Sequence, residues 1–142
     1  VTNKIEKKPV CPASAAIDRS EWERLIKNAS FMENEKGAQE RRELWLPMER
    51  YAAIKLIEER ANAYLIHEMV LSNYSDHGAG LLSTQYTAPQ SNLIMMVPGA
   101  AGSQALQGIA TRCEHISGRV HKLGLYFEEP VTWATVLSAL PV

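Results

Sequence analysis

From Pro47 to Ser72 the chain carries its longest helix-compatible pattern with no glycine or proline inside it. Pro47 suits a first helical position, where its missing N–H costs nothing and its fixed φ already fits. Tyr51, Ile54, Ile57, Ala61, Leu65 and Met69 recur at steps of three and four, while Lys55, Glu58, Glu59 and Asn62 form a polar stripe opposite. In the second half, Ala63 to Leu71, only His67 and Glu68 are ionisable, so that half should be enclosed on several sides. The pattern predicts a long central helix wrapped by shorter helices, with Ile54, Ile57, Ala61, Leu65 and Met69 in one core.

A chain of 142 residues is expected to form one domain, able to bury a core without metals or disulfides. Fifteen basic against sixteen acidic residues give no global field favouring nucleic acid or an acidic membrane. Cys11 and Cys113 fit no paired zinc or redox spacing, which points to reduced thiols and a cytoplasmic location. No membrane span is expected, because the longest uncharged run, Gly78 to Ala110, is rich in Gly, Pro, Ser and Gln. Lys4 has no apolar run behind it, so no secretory leader is expected, and Val1 suggests a GTG start in a bacterial or phage gene.

Residues 1–16 show no period and are read as a mobile arm, leaving 17–142 as a single globular domain. Ser20-Glu21-Trp22-Glu23 has the form of a capping box, predicting a helix from Ser20 to Phe31 that buries Trp22, Leu25 and Ile26. Met32 to Glu43 alternates charges and reads as a solvated face. Leu81–Thr87 and Leu93–Val97 flank a turn cluster and predict a β-hairpin. Gln104 to Leu123 reads as two interrupted helices, Leu125-Tyr126-Phe127 as a short strand, and Thr132 as the cap of a last helix through Leu140. The expected fold class is mainly α with a small β-hairpin (α+β).

The strongest functional pattern lies between Ile109 and Leu123. Ala110 is small enough for two helices to cross, Ile109, Cys113, Val120 and Leu123 can close the joint, and Ser117 can cap the second helix. The segment resembles a degenerate helix-turn-helix, with Glu114 where the turn usually has glycine and His115 where an apolar residue is usual. That resemblance implies a small DNA-binding regulator contacting duplex DNA through Arg112, Ser117, Arg119, His121 and Lys122. The weak overall charge then calls for a homodimer or help from Lys4, Lys7 and Lys8.

Two other functions compete. One is a non-enzymatic protein-interaction adaptor, a bacterial or phage accessory protein. The other is a small-ligand enzyme in which Asp76 and His77 form an acid/base dyad near the Gly99–Ser103 loop. That loop lacks the lysine of a phosphate-cradling motif. His67, His77, His115, His121, Asp76, Glu68, Cys113 and Glu114 show no ligand spacing, so no metal and no cofactor is expected.

Overall fold

At a period of two, the stretch expected to form the central helix becomes a pair of strands. In Ala53–Glu59, Ile54, Leu56 and Glu58 are buried, while Lys55 and Glu59 are exposed. Tyr64–Ser75 continues the alternation with His67, Met69 and Leu71 on the same face. The turn between them holds no glycine or proline. It is closed by the Arg60 amide donating to the Ala63 carbonyl at 2.8 Å. Ala61 is therefore exposed, and Ile57 and Leu65 are only partly covered. The predicted helical core set is thus divided among two strands and a turn.

The computed structural model describes residues 8–25, 44–48, 50–97 and 104–140. Its strands are β1 (Val10–Pro12), β2 (Leu46–Pro47), β3 (Ala53–Glu59), β4 (Tyr64–Ser75), β5 (Gly78–Ser83), β6 (Asn92–Val97), β7 (Gln104–Ser117) and β8 (Val120–Tyr126). The last six pair antiparallel in the ring β3-β4-β5-β8-β7-β6 and back to β3, a closed six-stranded barrel. Closure leaves these strands without a free edge ladder over the paired stretches. Leu56, Met69, Leu71, Leu81, Leu93, Met95, Leu123 and Leu125 are almost fully buried and fill the interior. Burial of each such side chain is worth roughly 1.5–3 kcal/mol.

Strand β4 is long enough to serve further neighbours. At its start β1 adds in parallel, with Cys11 opposite Leu65, and near its end β2 adds antiparallel, with Pro47 opposite Asn73. Residues 10–12, within the stretch read as a mobile arm, are thus hydrogen-bonded into the sheet.

Two short helices flank the barrel among the described residues. Residues 19–25 form α1. Its cap is Asp18, not Ser20: the Asp18 carboxylate accepts from the Glu21 amide at 2.8 Å and the Ser20 hydroxyl at 2.7 Å. These bonds hold the Asp18 carboxyl below its ordinary pKa. Trp22 and Leu25 are buried as expected, with Trp22 edge-on to Tyr51 at 5.9 Å, while residues 26–31 lie outside the described part. The expected C-terminal helix is present as α2, Trp133–Ala139, with Thr132 at its N-cap. Neither helix is long and apolar enough to cross a membrane.

Three expectations are overturned together. The fold is mainly β, not mainly α. Leu81–Thr87 and Leu93–Val97 are not a hairpin, because β5 pairs with β4 and β8 while β6 pairs with β3 and β7. The segment 109–123 is not a helix-turn-helix. It is the end of β7, a two-residue turn at Gly118-Arg119 and the start of β8, with Gly118 at φ +54° supplying the left-handed conformation the turn uses. The small residue Ala110, read as a helix crossing, instead faces the barrel interior opposite Leu125.

Candidate functional site

Without the helix-turn-helix, the residues expected to meet DNA are no longer one recognition surface. Arg119 sits exposed at the hairpin turn and Ser117 pairs with Val120 at its base. His121 pairs with His115. Arg112 and Lys122 lie further along, on the outer wall of the barrel, and these two come together around one hollow.

The hollow exists because of where glycines fall. Gly78, Gly80 and Gly124 all turn to the outer wall, with Gly80 directly opposite Gly124 and Gly78 opposite Tyr126 across the β5–β8 ladder. Because these three positions carry no side chains of their own, Trp45, Asn73 and Thr111 lean in over them, and a depression of about 300 Å³ opens beside them, at the small end of ligand-site volumes. Trp45 and Asn73 wall it on one side, and Thr111, Arg112, Lys122 and Tyr126 on the other. A side chain at 78 would collide with the Trp45 ring, one at 80 with the Asn73 carboxamide and one at 124 with the Thr111 hydroxyl.

The polar groups of the floor come from the end of β4. Asn73 and Ser75 are buried, and the Ser72 hydroxyl donates to the Gly80 carbonyl at 3.0 Å. The Ser75 hydroxyl is buried without a hydrogen-bond partner among the described residues. Such a group costs about 1–3 kcal/mol unless something satisfies it. Its backbone carbonyl, in contrast, accepts from the Trp133 indole, which ties α2 to the floor of the site.

Two cations edge the hollow. Arg112 is exposed, its guanidinium 3.5 Å from the Glu114 carboxylate in a solvent-screened pair. Lys122 is largely covered, and loss of hydration lowers its pKa from 10.5 to about 8. At neutral pH it still carries charge, in an environment that favours an anion beside it. His77 stacks on Tyr126 with ring centroids 6.2 Å apart and a 19° interplanar angle, which adds a planar aromatic edge.

The Asp76–His77 alternative places differently than expected. Both residues form the turn of the β4–β5 hairpin, and their carbonyls accept from the Val131 and Phe127 amides. His77 lines the hollow, but the Gly99–Ser103 loop lies outside the described residues. The sequence singled out Arg112 and Lys122 as DNA contacts and His77 as half of an acid/base dyad, and Trp45, Asn73, Ser75 and the three glycines were passed over. The pattern Asn73-x-Ser75-x-x-Gly78-x-Gly80 could have revealed four of these six. Read as strand, turn and strand, it puts two polar residues and two gaps on one face.

A second hollow, about 1220 Å³, is lined by α2, residues 126–132, the start of β7 and the ends of β6. Its described lining includes Glu128 and Glu129 and no basic residue, so convergent cations distinguish the first.

No protein-family model matches the sequence, and no curated protein matches it. Among solved structures the chain is similar to the Bacillus subtilis inhibitor of motility (MotI/DgrA), at 13% identity and a TM-score of 0.43. The match covers 71% of this chain and 50% of that one, so this chain spans about half the length of that structure.

Proposed function

We propose that this chain is a non-enzymatic adaptor that binds a phosphate-bearing guanine nucleotide, mono- or dinucleotide, on the outer wall of its barrel. The observation that carries this reading is the convergence of Arg112 and Lys122 on a hollow that also holds the Ser75 hydroxyl, which has no hydrogen-bond partner among the described residues. A largely covered ammonium gains most from an anionic partner, which fits Lys122 to a phosphate. The planar fork of an arginine matches the O6/N7 edge of guanine, and Trp45, His77 and Tyr126 offer rings against which a base can stack. A ligand seated there would present a changed surface to a protein partner. The free thiols Cys11 and Cys113 fit a reducing, cytoplasmic compartment.

Calorimetric titration tests the reading, with inorganic phosphate, GMP, GTP, cyclic di-GMP and the adenine counterparts as probes. Saturable binding of at least one guanine nucleotide is expected, weakened roughly tenfold or more by Arg112→Ala and by Lys122→Ala. Heat signals absent for every nucleotide, or indifferent to both substitutions, would sink it.

A further inference from the structure

His115 and His121 are direct partners across the β7–β8 ladder, on the hairpin whose turn is Gly118-Arg119. Their ring centroids stand 5.4 Å apart at an interplanar angle of 71°. Nε2 of His115 lies 2.7 Å from the Gly118 carbonyl, and Nδ1 of His121 lies 3.2 Å from the Arg119 carbonyl. A carbonyl oxygen can only accept, so each of these nitrogens carries the proton when the bond is made. In the neutral rings this assigns the lone pairs to Nδ1 of His115 and Nε2 of His121.

The geometry points to a divalent transition-metal site on this hairpin, with His115 and His121 as its two protein ligands. A backbone carbonyl holding the second N–H of each ring is the usual support of a metal-bound histidine, since it fixes tautomer and ring orientation. A tetrahedral ion bonded at about 2.0–2.1 Å to one nitrogen of each ring would hold the ring centroids about 5.2 Å apart, close to what is seen here. Imidazole donors select zinc, copper or nickel over magnesium or calcium, with copper(II) the tightest. Among the described residues no third His, Cys, Asp or Glu joins them, so water or an external ligand would complete the sphere. Tyr86 stands edge-on to His121 at 6.0 Å. The site is separate from the nucleotide hollow and does not depend on it. The pairing escaped notice in the sequence because a spacing of six residues is a ligand spacing only when a two-residue turn folds it back.

The test is titration of the full chain with copper(II), zinc(II) and magnesium(II) chlorides, followed by calorimetry and by the His115 and His121 ring resonances in NMR. One copper(II) per chain is expected, with selective broadening of those two rings, zinc weaker and magnesium silent. Affinity should fall tenfold or more in His115→Gln and in His121→Gln and stay unchanged in Cys113→Ser and His77→Gln. Both glutamine changes are at the hairpin, and broadening in the unaltered chain provides a readout that does not depend on variant stability. Equal affinity in the glutamine variants, loss in Cys113→Ser instead, or copper that leaves both rings sharp would overturn the assignment.

Discussion

Asn73 and Gly80 are register partners across the β4–β5 ladder, and the Asn73 carboxamide occupies the space that a side chain at position 80 would need. A methyl group there would overlap the Asn73 Oδ1 itself, so the strand tolerates only glycine while Asn73 keeps its place. Gly80→Ala should cost about 1–3 kcal/mol. Asn73→Ala in the same chain should recover part of that loss. Urea midpoints of the two single variants and the double variant give the coupling. Strict additivity would mean that the two positions do not compete for one volume.

Inside the barrel, His67 and Glu58 form a buried pair, Nε2 to Oε1 at 2.8 Å, and Arg60 holds the other carboxylate oxygen at 2.9 Å. The His67 Nδ1 atom is buried with no partner among the described residues, so the Glu58 bond is what compensates the ring. Glu58→Ala should therefore destabilise the fold by about 3 kcal/mol. A urea midpoint unchanged from the parent would show that the barrel can hydrate or rearrange His67 at no cost.

Lys122 makes stability depend on alkaline pH. Below about pH 8 the amine is protonated in both folded and unfolded chains, and the folded state bears the whole cost of the covered charge. Between about 8 and 10.5 the unfolded chain holds a proton that the folded one has released, so stability rises with pH across that window. Relative to Lys122→Met, the parent should gain melting temperature from pH 8 to pH 10. Parallel pH profiles for the two proteins would show that Lys122 is hydrated in the fold.

Trp133 anchors α2 through its indole bond to the Ser75 carbonyl and its contacts with Tyr74 at 5.2 Å and Phe127 at 6.3 Å. Trp133→Ala should cost about 3–5 kcal/mol. It should also loosen the floor of the hollow, because Ser75 loses its tether. Hydrogen exchange at the Ser75 and Gly78 amides checks this; protection equal to the parent would confine the role of Trp133 to the helix.

The legible parts of this chain were local. Trp22 and Leu25 were expected to be buried and are, and the final helix expected after Thr132 is present, although the Thr132 side chain makes no capping hydrogen bond. The barrel was hidden because Ile54, Ile57, Leu65 and Met69 satisfy a helical step as well as a strand assignment, and Arg60-Ala61-Asn62-Ala63 turns the chain without glycine or proline. Leu56, buried opposite His67 and Met95, fits only the period of two and was the residue that should have decided. Of the site, its charged and aromatic members Arg112, Lys122 and His77 stood out. Its glycine floor did not, because Gly78, Gly80 and Gly124 become one surface only once β5 and β8 pair.

The central claim is that the glycine floor between β4, β5 and β8 receives a guanine nucleotide. The most direct measurement is a two-dimensional amide NMR titration of the full chain with cyclic di-GMP and GTP. Saturable shifts concentrated at Gly78, Gly80 and Gly124, with the Trp45 indole and the Arg112 side chain moving at the same concentrations, are what the account predicts. Shifts that centre on the β6–β7 and α2 groove, or a spectrum unmoved by either nucleotide, would contradict it.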